Sequence, residues 1–312
     1  INALKPSTCV YIHIMYCGVL INLSDCPRRC QCVSTTIHCN ARGLRRFPGT
    51  LPRNAVTLLI EENRISSVSF MLIFNNLNTL KHSILFNLNR FQISSQLPPL
   101  NSTHLHTVIL QNNKIYNLQL KVFRAARNIN FLNLANNRLR VIRNGVLSQL
   151  SGLALLNLGH NNITRIFAGA FAGLSHLSDL YLHNNRITSI PQGLFTSLVN
   201  LKQLRLDQNR IVRLTDDTFL RQTFLISLNL ANNNLRRITS ATMRGMASLQ
   251  KLLLSGNQIQ SLDSNINPPD TDCAKYIDLS NNSLSTVRLL TFSRLRMLSK
   301  LSLDNNQWRC DC

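Results

Sequence analysis

Four cysteines stand close together early in the chain, spaced Cys26-x3-Cys30-x-Cys32-x6-Cys39, and two more, Cys310 and Cys312, lie at its end. Thiols grouped in this way either close disulfides or ligate zinc. The spacing is not the paired C-x2-C of common structural zinc sites and no histidine pair accompanies it, so disulfides are expected. Cysteines confined to the two ends of a chain read as stapled covers and imply an oxidising compartment. Cys273 has no evident partner and reads as an inert thiol. Catalysis finds no constellation. His82, His104, His106, His160, His176 and His183 are scattered, and no P-loop, G-x-G-x-x-G, H-E-x-x-H or G-x-S-x-G occurs. No catalytic, cofactor or metal role is expected of these residues.

Charge offers a different chemistry. Lys and Arg number 34 against 13 Asp and Glu, a formal net charge of +21. Such an excess favours polyanions: nucleic acid inside cells, sulfated glycans or anionic surfaces outside. An oxidising compartment selects the second pair and sets nucleic acid aside, innate immune sensors excepted. Basic residues directly follow an asparagine at Arg64, Arg90, Lys114, Arg138, Arg186 and Arg210, a row interrupted at Asn162. Arg140, Arg143, Arg165, Arg213 and Arg237 broaden it. N-glycosylation sequons begin at Asn101, Asn162 and Asn281; a fourth, at Asn22, lies in a leader-like segment.

What must position these groups is a repeat. The pattern L-x-x-L-x-L-x-x-N-x-L recurs with its asparagines at 113, 137, 161, 185, 209, 233 and 257, a strict 24-residue period. Looser copies centre on Asn63, Asn89, Asn282 and Asn306, making about eleven. Each L-x-L predicts a short strand with alternate side chains inward, and stacking predicts one parallel sheet with neighbours ~4.8 Å apart. Ten residues after each asparagine a second apolar column, Phe123, Leu147, Phe171, Phe195, Phe219, Met243 and Phe292, would close the convex side. The buried asparagines are expected to bond backbone groups of their own and adjacent coils, since an unpaired amide costs ~1–3 kcal/mol. The fold class is thus an α/β-type solenoid, a horseshoe with an irregular or short-helical convex side.

Outward strand positions then form a concave face. Phe131, Tyr181 and Tyr276 stand there among polar neighbours, as aromatic anchors do in protein interfaces. Tyr181, His183, Arg205 and Asp207 make a central patch. The stacked arginines after the asparagines predict a basic stripe along one edge, on which a linear polyanion such as heparan sulfate could lie. A glycan at Asn162 would divide it.

Cys26-Pro27-Arg28-Arg29-Cys30-Gln31-Cys32 through Cys39, the repeats, and Cys310-Asp311-Cys312 together resemble the extracellular leucine-rich-repeat family. The resemblance implies Cys26–Cys32 and Cys30–Cys39 disulfides in an N-terminal cap, the opening of a C-terminal cap, and partners held on the concave face. Leu51-Pro52-Arg53-Asn54 is similar to Slit, and Thr35-Thr36-Ile37-His38-Cys39 to peroxidasin and the lamprey variable lymphocyte receptors. Ser94 through Leu105 is similar to an irregular early repeat of the leucine-rich repeats and immunoglobulin-like domains family of cell-surface regulators.

The expected organisation is a signal-peptide-like leader over 1–25, a cap over 26–54, the repeat array over 55–307 and a cut-off C-terminal cap from 308 to 312, with cysteine partners beyond it. The expected function is an extracellular or cell-surface protein-binding module, the ectodomain of a receptor or adhesion regulator, with a protein ligand or receptor as partner. A secreted matrix or guidance protein binding heparan sulfate is the alternative, and a recognition domain attached to an enzyme or innate immune receptor the third.

Overall fold

The computed structural model describes residues 26–33, 35–40, 42–44, 57–59, 82–84, 96–97, 106–112, 115–120, 122–124, 126–263, 273–288, 291–292 and 295–309. The leader-like segment, Arg64, Arg90, Lys114, Asn101, Cys310 and Cys312 lie outside them.

Alternation of apolar and polar residues makes each L-x-L a three-residue strand. In Asp179–Tyr181 the middle leucine is buried and its two neighbours are half-exposed. Strands at Phe131–Asn133, Leu155–Asn157, Asp179–Tyr181, Gln203–Arg205, Ser227–Asn229, Lys251–Leu253, Tyr276–Asp278 and Lys300–Ser302 pair in parallel, in chain order. Leu132, Leu156, Leu180, Leu204, Leu228, Leu252 and Ile277 fall in one register row. Before them stand Thr57–Leu59, His82–Ile84 and Thr107–Ile109. An antiparallel hairpin, Gln31–Val33 with Thr36–His38, starts this thirteen-stranded sheet. The hairpin carries the cap: Cys26 is bonded to Cys32, and Cys30 to Cys39. Buried Ile37 and Cys39 cover the first coil, and the Cys39 N–H donates to the Leu59 carbonyl.

The asparagine ladder fixes the stacking. The Asn185 Nδ2 donates to the Leu182 carbonyl of its own coil and the Leu158 carbonyl of the preceding one, both at 3.0 Å. Its Oδ1 accepts from the Ile163 N–H at 2.9 Å. Asn137, Asn161, Asn209, Asn233, Asn257 and Asn282 repeat this set. Each of these buried amides therefore welds one coil to the one before, and none of the seven is left unpaired.

Among the described residues, those before the ladder asparagines are left-handed: Asn112, Asn136, His160, Asn184, Gln208, Asn232, Asn281 and Asn305 have φ of 52–58°, and Gly256 has 67°. Asparagine tolerates that region better than most side chains, because its short amide bonds locally. On the convex side Phe123, Leu147, Phe171, Phe195, Phe219 and Met243 are buried, and Phe195 stacks on Phe219 with centroids 5.8 Å apart. That side is mostly turns. Among the described residues the helical turn Ser240–Met243 is capped reciprocally by Thr239 and Thr242. Among the described residues no helix is long and apolar enough to cross a membrane.

Candidate protein-binding face

The concave face changes character along its length. Thr107, Phe131 and Leu155 are half-exposed cross-strand neighbours ahead of its middle, the last two apolar. Asp179, Tyr181, His183 and Arg205 form its polar middle. At the far end the Tyr276 ring lies between two ammonium groups, Lys251 Nζ at 5.7 Å and Lys300 Nζ at 5.0 Å from the centroid. Cations over an aromatic face are attracted to its quadrupole, so this end is a basic aromatic cluster.

The central patch is brought together, though not as a set of equally presented side chains. Asp207 is buried, only 4% exposed. Both its oxygens are spent on one neighbour: Arg205 Nε donates to Oδ1 at 3.0 Å and Arg205 Nη2 to Oδ2 at 2.8 Å. Strand alternation puts residues 205 and 207 on the same side, and the forked guanidinium matches the carboxylate. Asp207 is therefore a positioning residue, and Arg205 is what the face presents. Tyr181 Oη donates to Asp179 Oδ1 at 3.4 Å, and burial, then the Asp179 charge, push its phenol above the ordinary value.

His183 is half-buried, its Nδ1 without a partner among the described residues. Its ring meets His160 edge-on at 4.9 Å and Tyr181 at 6.3 Å. Room for it comes from Gly159 in the preceding coil, where a Cβ would overlap the imidazole. Burial, then the Arg205 charge, pull the imidazole down to about 4, with His160 adding to the effect and Asp207 opposing it. The sign follows from linkage. Unfolded His183 takes a proton near pH 6.5 and the folded chain refuses it until about 4, so its contribution to stability declines as pH falls through that window. An NMR titration of the imidazole is expected to give a midpoint near 4, moving up in Arg205→Ala; a midpoint at the unperturbed 6.5 would contradict the packing.

Along the edge where the chain leaves the sheet, backbone bonds stack successive coils. The N–H groups of Arg138, Asn162, Arg186 and Arg210 donate to Ile115, Leu139, Ile163 and Ile187 at 2.8–3.0 Å. Arg138, Arg186 and Arg210 are exposed and Asn162 is half-buried. Two flanking arginines are engaged: Arg165 lies 4.4 Å over the Phe167 ring, and Arg237 pairs with Asp263 at 2.9 Å. Asn281 is exposed, its Oδ1 accepting from Asn305 Nδ2. Cys273 is a free, half-buried thiol.

The family model described as Leucine rich repeat matches residues 103–163, 151–211 and 200–259, together half of the chain. The chain belongs to the leucine-rich-repeat family. Leucine-rich repeat-containing protein 3 of Rattus norvegicus is 37% identical over 71 residues, which are 22% of this chain and 27% of that protein. The Mus musculus protein is 36% identical over 69 residues, 21% and 26% of the two chains. This leucine-rich-repeat chain thus spans about a quarter of the length of these curated relatives. Two solved structures share the fold at 22% identity. One is the FLRT2 leucine-rich-repeat region in an octameric complex with latrophilin 3 and Unc5D; the TM-score is 0.64, over 92% of this chain and 86% of that one. The other is a leucine-rich-repeat protein of Leptospira interrogans, TM-score 0.65, over 83% and 68%.

Sequence reasoning missed Gly159, and the buried state of Asp207 with it. A signal existed for the first. The position two before the ladder asparagine reads Ala135, Gly159, His183, Asp207, Ala231, so small residues flank the two large ones.

Proposed function

We propose that this leucine-rich-repeat chain is an extracellular protein-binding module, the ligand-binding part of a cell-surface receptor or adhesion regulator, that seats its partner on the concave sheet. The Arg205–Asp207 pair carries the reading. Asp207 is a buried carboxylate whose side chain does nothing for the ladder: the same position holds Ala135, Gly159 or Ala231 in other coils, and the stacking is unchanged. Its work is to hold one arginine rigid at the surface beside Tyr181. Pre-ordered arginine and tyrosine lose little side-chain freedom on binding, which is why such residues dominate interface energetics. Disulfides in the cap support an oxidising, extracellular compartment. The FLRT2 region, seen with latrophilin 3 and Unc5D, supports protein partners for this fold.

The test uses the secreted chain as bait on an array of purified cell-surface ectodomains. A retained ectodomain is expected to lose at least about tenfold in affinity with Tyr181→Ala/Arg205→Ala, a drop of ~1.4 kcal/mol or more. Arg127→Ala/Arg221→Ala, away from the sheet face, is expected to bind as the parent does. Equal binding by parent and concave variant would place the partner elsewhere and end this reading.

A further inference from the structure

Tyr116, Arg138, Arg140 and Asn162 come from three successive coils and line a cavity of about 430 Å³ on the edge where the chain leaves the sheet. That is within the range of small-ligand sites, roughly 300–1,000 Å³. The chain's own bonds set the spacing: the Arg138 N–H donates to Ile115 O, beside Tyr116, and the Arg140 carbonyl accepts from the Thr164 N–H and hydroxyl. Both arginine side chains are exposed and form no ion pair among the described residues. Tyr116 is 41% exposed, so its ring is open to a ligand in the cavity. The side-chain amide of Asn162 makes no hydrogen bond among the described residues, and it heads the sequon Asn162-Ile163-Thr164.

Two unpaired guanidinium groups, a flat aromatic wall and a free amide form a donor set for an anionic sugar. The guanidinium forks suit sulfate oxygens, the ring suits the C–H face of a pyranose, and the amide suits hydroxyls. Beyond Asn162 the exposed Arg186 and Arg210 continue the row for a longer chain. We propose that this cavity is a subsite for a sulfated glycosaminoglycan, and that an N-linked glycan on Asn162 and the polysaccharide exclude one another there. The mutual exclusion is steric: the modified nitrogen belongs to the cavity wall. The site shares with the concave reading only its extracellular location, and a partner on the sheet leaves it open.

The test is carried out on the full 312-residue chain secreted from glycosylating cells, with a size-defined heparin oligosaccharide as probe. Arg138→Ala/Arg140→Ala is expected to weaken binding about tenfold or more and to flatten its dependence on salt, since fewer counterions are released. Arg127→Ala/Arg221→Ala removes equal charge from exposed arginines off this edge and is expected to bind within about twofold of the parent. Thr164→Ala removes the sequon while keeping Asn162, and is expected to bind more tightly than parent chains whose Asn162 carries a glycan by mass spectrometry. Asn162→Arg, which completes the row, is expected to bind tighter again, a gain that misfolding cannot mimic. Equal losses from the two arginine pairs would reduce the site to diffuse charge. Equal binding of desulfated heparin, or of a single-stranded DNA of matching charge, would overturn the assignment to a sulfated sugar. An unglycosylated Asn162 in the parent, or a Thr164→Ala chain that binds no better, would overturn the exclusion.

Discussion

Asn185→Ala is expected to lower stability by about 3–5 kcal/mol, a large share of what any domain has to lose. The side chain joins two coils through three atoms of backbone: Leu182 O, Leu158 O and Ile163 N. Alanine leaves the Ile163 N–H without a partner inside a sealed core, at about 1–3 kcal/mol, and removes one hydrogen bond of about 1 kcal/mol from each carbonyl, Leu158 keeping its Asn161 donor and Leu182 its Asn209 donor. Asn185→Asp is the sharper variant. Its ionised carboxylate can still accept from Ile163 but turns an oxygen toward two carbonyls where a donor stood. A protonated acid can donate, so the folded pKa of the new group is raised, and the variant is expected to regain stability as pH falls toward the ordinary carboxylate range. Asn306 makes the equivalent bonds but is only half-buried, so water can replace them and Asn306→Ala is expected to cost less than half as much. Urea unfolding of the three variants checks the order. A loss below about 1 kcal/mol at Asn185 would mean that leucine stacking alone fixes the register.

That ladder was readable because its chemistry leaves no freedom: one residue type fits, and it must recur with the coil. The left-handed column beside it was readable too, in the doublets Asn112-Asn113, Asn136-Asn137, Asn184-Asn185 and Asn232-Asn233, had the first asparagine been asked why it was there. The concave patch was legible only in part. Period-two alternation says that Tyr181 and Arg205 face outward, but says nothing of depth. Asp207 follows the strand where the chain turns back toward the ladder asparagine, so its carboxylate sinks and the longer Arg205 covers it. Burial at such a position depends on the sizes of neighbours one coil away, here Gly159 beneath His183 and Ala231 beyond Asp207, a correlation over 24 residues rather than within a segment. The basic edge shows the converse limit. Its stacking could be counted from the asparagines, yet Arg165 rests on the Phe167 ring and Arg237 pairs with Asp263, and both contacts arise off the repeat pattern.

Gly245→Ala is expected to be as damaging as any ladder substitution, at about 3–5 kcal/mol, although it adds a single methyl group to a turn. The helical turn Ser240–Met243 ends here, and the chain swings back with φ of +89° at Gly245. A left-handed residue with a Cβ costs about 1 kcal/mol on that ground alone. Space supplies the rest. A Cβ on Gly245 would overlap the carbonyl group and Cα of Leu220 in the preceding coil, which are backbone and cannot rotate away. Relief would require the two coils to part, and Met243 and Met246, both fully buried on either side of the glycine, would lose their packing. Gly193 provides the control. It is left-handed as well, at φ +75°, but the nearest atom a Cβ would meet is the Thr196 hydroxyl of its own turn at 3.5 Å, an ordinary contact. Gly193→Ala should therefore show only the conformational cost of about 1 kcal/mol. Thermal or urea unfolding of the two variants separates crowding from dihedral preference: equal losses would mean that the close approach of coils at Gly245 carries no energetic weight.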